Sequence, residues 1–359
     1  MSRTHRFSGL ALISLLALGV ASCNKDEAPT SANTSPQLQP LLAHSTNNII
    51  VVIYNRLDLA AGALAASAAA LQANPSQPNL EAVRDAWRTA RIPWENSEAF
   101  LFGPVETSGI DPSIDSWPVN EVDLNAVLSS SATLTKEYID GLEGTLKGFH
   151  TIEYLIFGLN SNKQLNGFTA REFQYLVAVT TSLKGETARL ATAWSPTSQN
   201  FGANLINAGQ SGSIYVSQKA ALQEIVTGML TIADEVANGK INDPFVQRDV
   251  TLEESRFSAN SKADFQDNIR GVQYMYTGSY NNQSGASVSD VVKFFDTNLD
   301  TRVRAAIQNA IDKIGAIPGT FTAAIFNDRP AVQEAQDAVR NLHQILESEV
   351  AALISNRIQ

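Results

Sequence analysis

The spacing of apolar side chains along this chain predicts a structure made almost entirely of helices. Apolar residues recur every three or four positions through most of the sequence, which is the spacing of one buried stripe on an α-helix. Strand-length stretches of alternating apolar and polar residues are scarce, so a sheet is not expected. The pattern predicts eight helical segments, at residues 47–72, 79–102, 144–157, 169–194, 213–238, 262–277, 288–314 and 330–355.

Glycine and proline divide these segments into two groups. A break at residues 195–197 and 207–209 separates four predicted helices from the next four, so we expect an all-α fold of two antiparallel bundles of about four helices each. The predicted bundles cover residues 44–208 and 209–359. Residues 271–276 echo residues 148–153, which suggests duplication, although helix order pairs 262–277 with 79–102 instead.

The N-terminus has the pattern of an export signal. Basic residues precede an apolar run over residues 10–20, and small residues follow it up to Cys23, the single cysteine. This resembles a bacterial lipobox, so we predict a signal peptide at 1–22 and a lipidated Cys23. The alternative is an ordinary signal peptide with an incidental cysteine. Residues 23–43 have the polar, proline-containing composition of a flexible tether, and the expected location is the outer membrane, facing the periplasm or the cell surface.

Composition limits what the body of the protein can bind. The formal charge is −10 and lysine and arginine do not cluster, which argues against nucleic acid and anionic lipid as partners. We expect no segment after the signal peptide to be apolar over the ~20 residues that a membrane span needs. The expected membrane contact is therefore the lipid anchor alone.

The candidate chemistry centres on His150 and Glu153. Their i, i+3 spacing places both side chains on one face of a predicted helix, where they could share an ion or substrate. The chain has four histidines; His5 lies in the signal peptide, and His44 and His343 lie far away in sequence. The alternative for His150 is a buried histidine that is hydrogen-bonded locally.

A second group of polar residues lies upstream. Arg91, Glu95 and Glu98 share one predicted helix with Trp94, and a proline-rich loop beyond it carries Asp111, Asp115 and Trp117. If these segments pack against the His150 helix, they would gather one imidazole and several carboxylates, a ligand set that suits iron, manganese or zinc better than Cu(I). Arg91 and Glu95 at i, i+4 could instead form an ordinary helix salt bridge.

Three motifs in this order resemble the imelysin family of bacterial envelope proteins. They are the Trp-Arg-Thr-Ala-Arg-Ile-Pro-Trp-Glu-Asn-Ser-Glu-Ala-Phe string at 87–100, Ile-Asp-Ser-Trp-Pro at 114–118, and the Gly-x-His-x-x-Glu signature at 148–153. The resemblance covers most of the chain after Cys23 and extends to residues 269–278. It implies a helical fold of two related bundles, attachment to the envelope and a link to iron uptake. Some members are described as metallopeptidases, and related periplasmic proteins deliver iron to a ferrous-iron transporter.

Carried over by position, the resemblance assigns His150 and Glu153 as the core of a metal site in the first bundle, with Gly148 as a close-packing residue. Glu98 and Asp115 are the candidates to complete the ligand set. The other residues in matching positions are Glu95 and Asp111 as further acids, and Arg91, Trp94 and Trp117 as residues that shape the pocket.

The sequence favours a binding protein over an enzyme. A His-Glu-x-x-His string is absent, and so is a Gly-x-Ser-x-Gly elbow. We therefore expect coordination of iron or an iron-containing ligand, with release favoured when protons compete for the ligands and with an envelope iron transporter as partner. A zinc-dependent metallopeptidase is the alternative, and a scaffold with a vestigial site is the third interpretation.

Overall fold

Helices form nearly all of the described part of the chain, which is residues 36–359 of a computed structural model. The predicted signal peptide, the lipidation at Cys23 and most of the tether lie outside the described residues. The helices before residue 209 are α1 Leu38–His44, α2 Val51–Ala73, α3 Gln77–Ser97, α4 Pro104–Thr107, α5 Asp111–Ile114, α6 Glu121–Ser129, α7 Lys136–Asp140, α8 Gly148–Phe157, α9 Ala170–Trp194 and α10 Ala203–Ile206.

The remaining chain continues in the same way. Its helices are α11 Gln218–Glu235, α12 Asn242–Gln247, α13 Ser261–Thr277, α14 Val288–Phe295, α15 Thr297–Gly315, α16 Phe321–Asn327, α17 Arg329–Ile345 and α18 Ala352–Arg357. Short π-helical turns at Ser45–Ile50, Val236–Lys240 and Leu346–Ala351 and 3₁₀ turns at Glu98–Phe100, Gly144–Leu146, Leu165–Gly167 and Val250–Leu252 extend or join them. The two strands that the described residues contain, β1 Ser279–Tyr280 and β2 Gln283–Ser284, form an antiparallel hairpin. The prediction of an all-α fold is confirmed.

Two boundaries differ from the prediction. The predicted helix at 288–314 is broken at Asp296, whose side chain accepts a hydrogen bond from the backbone of Leu299 and thereby starts α15 as a new helix. The folded part begins at Leu38 rather than near residue 44, because Leu41 and Leu42 are buried in the core. The last residues assigned to the tether are therefore part of the fold.

One helical stretch also differs from the expectation about membrane spans. Leu38–Ala73 is long and apolar enough to cross a membrane by length and composition. Its Ile53, Leu57 and Leu64 side chains are fully buried, and α2 packs against α3 and α9. These contacts are those of a core helix in a globular protein.

A single apolar core runs through both predicted bundles. Buried side chains from Leu38 to Ile358 belong to one continuous cluster, so the division at residue 208 stays a prediction. Helices α3 and α13, which helix order pairs as equivalents, pack directly against each other. Gly271 on α13 makes this approach close, because a Cβ there would lie 2.3 Å from the carbonyl oxygen of Asn96.

Candidate metal centre

Helix α3 carries charged side chains on its buried face. Leu80, Val83 and Trp87 lie at helical spacing and are fully buried, and Arg91 and Glu95 continue the same stripe. A buried charge is costly unless it is paired. Arg91 and Glu95 therefore require partners, some of which come from other elements.

The Arg91 guanidinium contacts four carboxylates. It pairs with Glu95 one turn further along α3 and with Asp115 after α5. Its Nη2 also lies 3.0 Å from Oε1 of Glu254, and its Nε lies 3.4 Å from Oδ1 of Asp264. Burial alone would lower the pKa of Arg91, but these carboxylates outweigh it and raise the pKa well above its ordinary value.

Lys240 is the second buried cation. Its ammonium lies 2.6 Å from Oε2 of Glu98, 3.1 Å from Oε1 of Glu254 and 3.6 Å from Oε2 of Glu95. Asn268 on α13 donates a hydrogen bond of 2.6 Å to Oε2 of Glu95. Lys240 and Asn268 thus tie the end of α3 to elements from the second half of the chain.

Negative charge is in excess around these two cations. Five buried carboxylates, from Glu95, Glu98, Asp115, Glu254 and Asp264, contact Arg91 or Lys240. Burial raises the pKa of Glu95 to about 8 although both cations oppose it, and raises that of Asp264 to about 6. Burial likewise raises the pKa of Glu98 well above its usual range. Raised pKa values mean that the cluster relieves part of this excess by holding protons at neutral pH, and a further cation would compete with those protons.

His150 lies beside this cluster on α8. Its Nδ1 is 3.2 Å from Oε2 of Glu153, and its Nε2 is 3.2 Å from Oδ1 of Asp115. Burial alone would lower the pKa of the imidazole, but the carboxylates of Asp115 and Glu153 raise it to about 9. Burial raises the pKa of Asp115, yet Arg91 and His150 outweigh burial and bring it below its ordinary value.

Glu153 holds the imidazole in position. Its Oε1 accepts hydrogen bonds of 2.7 Å from both the backbone nitrogen and the hydroxyl of Ser258, while its Oε2 accepts from Nδ1 of His150. A carboxylate that binds one ring nitrogen fixes the orientation of the ring and directs the other nitrogen. Here the directed atom is Nε2, which faces Asp115 and lies 3.9 Å from Oε1 of Glu254.

Gly148 allows the loop that carries Asp115 to approach His150. Its φ is +75°, and a Cβ at this position would lie 2.4 Å from the carbonyl oxygen of Ile114. Because Asp115 follows Ile114 directly, this close packing brings its carboxylate beside the imidazole. The sequence-based assignment of Gly148 as a close-packing residue agrees with this geometry.

Three side chains combine metal-ligand chemistry with unused bonding capacity. Asp115, His150 and Glu254 each offer a ligand atom within 4.8 Å of the others. Nε2 of His150 lies 3.2 Å from Oδ1 of Asp115 and 3.9 Å from Oε1 of Glu254, and Arg91 contacts the same two oxygens. The second oxygens of these carboxylates, Oδ2 of Asp115 and Oε2 of Glu254, are buried without a hydrogen-bond partner, as are several other polar atoms of the described residues, among them Oδ2 of Asp264 and Oδ1 of Asn268. Buried polar atoms are nearly always satisfied, so these free carboxylate oxygens leave bonding capacity for a ligand. One imidazole nitrogen and two carboxylates suit iron, manganese or zinc.

The second geometric candidate is already filled by a cation of the protein. Glu95, Glu98 and Glu254 also offer ligand atoms within 4.8 Å of one another. The Lys240 ammonium contacts all three of these carboxylates. Glu98 therefore belongs to the surroundings of Lys240 rather than to those of His150.

The other predicted site residues line or support the cluster. Asp111 lines a cavity that also contains Asp115 and Trp117. The half-buried Trp117 ring lies 6.0 Å from the His150 ring and 5.4 Å from the Lys240 ammonium. Trp94 is fully buried against the ring of Phe149, so it is a core residue that supports α8.

The second half of the chain contributes residues that the sequence pattern does not predict. The predicted site lies in the first bundle, whereas Lys240, Glu254, Ser258, Asp264 and Asn268 all follow residue 209. Asp264 and Asn268 carried a usable signal, since they lie at i, i+4 on a predicted core helix. Glu254 and Ser258 lie between 3₁₀ turn Val250–Leu252 and α13, where no periodicity marks them.

A second imidazole is absent from the groups of metal-ligating side chains that the described residues form. The His44 ring instead lies 2.8 Å from the carbonyl oxygen of Gly278, and His343 lies on α17. The site therefore differs from zinc sites built on two histidines.

Comparison with known proteins identifies relatives of the whole fold. A family model described as Imelysin matches residues 50–348. Iron-regulated protein A of Synechococcus elongatus is 30% identical over 311 residues, which cover 85% of this chain and 84% of that protein. A crystal structure from Parabacteroides distasonis, described as an iron-regulated protein A precursor, has a TM-score of 0.80 at 24% identity and covers 89% of this chain and 96% of its own. An imelysin-like structure from Psychrobacter arcticum has a TM-score of 0.72 at 15% identity, with 90% and 96% covered.

Proposed function

This chain belongs to the imelysin family, and on that premise we propose that it binds an iron ion at Asp115, His150 and Glu254 as part of iron uptake. The observation that carries the proposal is the convergence of ligand atoms from these three buried side chains within 4.8 Å, where each carboxylate also has one oxygen without a hydrogen-bond partner. The link to iron rests on the Synechococcus relative, which is named as an iron-regulated protein.

The surroundings of the three ligands support capture of a cation. Arg91 accounts for only one oxygen of Asp115 and one of Glu254, so each carboxylate keeps an oxygen for the ion. Glu153 and Ser258 fix the imidazole from behind. The ligand set is thus largely formed before the ion arrives, which lowers the ordering cost of binding.

Two further parts of the proposal concern location and partner. The pattern before Cys23 supports a lipid anchor in the outer membrane, facing the periplasm or the cell surface. Incorporation of labelled fatty acid that persists in Cys23→Ala would refute the anchor. Transfer of iron to an envelope transporter follows from the family and would be tested by co-purification.

Metal content is the direct test of the proposed function. The purified chain would be loaded separately with iron, zinc and manganese, desalted and assayed by elemental analysis beside His150→Ala and Glu254→Gln. His343→Ala is the matched control, because it removes an imidazole from α17 without touching the cluster. We expect stoichiometric iron in the wild type and in His343→Ala, with at least a tenfold loss of affinity in the two site variants.

Two other results of the metal-loading experiment would count against the proposal. Zinc retained in preference to iron would favour the metallopeptidase alternative and call for a proteolysis assay. No retained metal in the wild type, or equal retention in His150→Ala, would refute the proposed site.

A further inference from the structure

An acidic groove, made of two adjoining cavities, reaches the proposed metal site. One cavity, of about 240 Å³, is lined by Asp111, Asp115, Trp117, Glu98 and Glu235 among others. The other cavity, of about 230 Å³, has a lining that includes Glu106 and Glu224. Glu98, Leu101 and Glu235 line both cavities, so the two adjoin.

The carboxylates that line the groove differ in burial. Glu106 is exposed, Glu224, Glu235 and Asp111 are half-buried, and Asp115 is 4% exposed. Asp115 also has a buried oxygen, Oδ2, that lacks a hydrogen-bond partner. The groove therefore reaches one of the residues that are proposed to bind the ion.

Helix α11 supplies one wall of the cavity that Glu106 and Glu224 line. Glu224, Thr227, Thr231 and Glu235 lie three or four residues apart, so they share one face of this helix. Gly228 on the same face allows close packing, because a Cβ there would lie 2.5 Å from the carbonyl oxygen of Ala99. The wall is thus held against the turn that carries Glu98.

The groove acids have no cation of their own at the surface. Within residues 36–359, Glu106, Asp111, Glu224 and Glu235 form no ion pair, and no lysine or arginine lines either cavity. Burial raises the pKa of Asp111 to about 6 and also raises those of Glu224 and Glu235; neighbouring carboxylates add to this effect, and the buried Lys240 opposes it at Asp111 and Glu235. A row of unpaired carboxylates between low-dielectric walls focuses an attractive field on cations.

We propose that this groove is the route by which a divalent metal ion reaches and leaves the buried site. The proposal rests on the proposed function, since it assigns a path to the same ion. It explains why an exposed acid at Glu106 and a half-buried one at Glu224 lie next to each other without a basic partner.

The test is the rate of Fe²⁺ association under anaerobic conditions. Stopped-flow quenching of tryptophan fluorescence would report arrival of the ion, since Trp117 lies beside His150. The double variant Glu106→Gln/Glu224→Gln removes two groove charges and leaves the three ligands unchanged. The matched control is Asp312→Asn/Asp337→Asn, which removes two exposed charges on α15 and α17.

We expect the groove variant to associate roughly tenfold more slowly at low ionic strength, with unchanged stoichiometry and a weaker dependence on salt. The control variant should associate at the wild-type rate. Equal rates for the two double variants would overturn the route while leaving the site intact. Absence of Fe²⁺ binding by the wild type would overturn the proposed function, and the route with it.

Discussion

Replacing Gly148 by alanine tests how the fold brings Asp115 to His150. Gly148 has a φ of +75°, and a Cβ there would lie 2.4 Å from the carbonyl oxygen of Ile114. The left-handed backbone costs an alanine about 1–2 kcal/mol. Overpacking against a backbone atom that cannot rotate away costs about 1–3 kcal/mol more. We therefore expect Gly148→Ala to lower the free energy of unfolding by about 2–5 kcal/mol.

Gly319 provides the matched control for this substitution. Its φ is +60°, but no atom lies within 4 Å of the position that a Cβ would take. Gly319→Ala should therefore lose only the backbone contribution of about 1–2 kcal/mol. Urea unfolding followed by far-UV circular dichroism measures both variants. Equal losses of stability would refute the argument that contact with Ile114 is costly.

Gly148→Ala should also weaken iron binding, unlike its control. Relief of the contact with Ile114 displaces the next residue, Asp115, relative to the imidazole of His150. A small shift of one ligand lowers affinity because the ligand set must converge on a single ion. Elemental analysis of loaded and desalted protein should show reduced iron in Gly148→Ala and full iron in Gly319→Ala. If both variants retained all of their iron, Gly148 would not be needed to position Asp115 for iron binding.

Two further predictions concern the packing and charge of the cluster. Gly271→Ala should destabilise by up to about 2 kcal/mol, because a clash with Asn96 that costs about 1–3 kcal/mol opposes a gain of about 1 kcal/mol in helix propensity. Gly62→Ala should instead stabilise by about 0.5–1 kcal/mol, because only the flexible end of a lysine lies near; the opposite order in urea titrations would contradict the packing argument. Lys240→Met should lower the free energy of unfolding by about 3–5 kcal/mol at neutral pH, because Glu98 loses its buried cation. A loss below about 1 kcal/mol would show that the ammonium is not needed there.

The sequence determined most of the local structure. Helical spacing of apolar residues predicted all the long helices, because each needs only one continuous stripe and can be identified without knowledge of its neighbours. It missed the start at Leu38, since proline and polar residues around Leu41 and Leu42 hide two buried leucines. It also missed the break at Asp296, where one capping side chain interrupts an otherwise uniform pattern.

The sequence also located one side of the candidate site. His150 and Glu153 are adjacent on one helix, so their spacing alone places them together. The spacing does not predict that His150 and Glu153 have different roles. Glu153 turns towards Ser258 and supports the imidazole, whereas His150 directs Nε2 towards the carboxylates.

Only the tertiary structure decided which other residues complete the site. Glu254 lies more than a hundred residues from His150, in a segment without periodicity, and joins the cluster because α13 packs against α3. In the sequence, Glu98 and Asp115 are both candidates to complete the metal ligands. In the structure, Glu98 forms an ion pair with Lys240 instead. Helical spacing and short motifs predict only contacts between residues that are close together in the sequence. The balance of buried charges depends on long-range packing, which places cations and carboxylates from both halves in one interior.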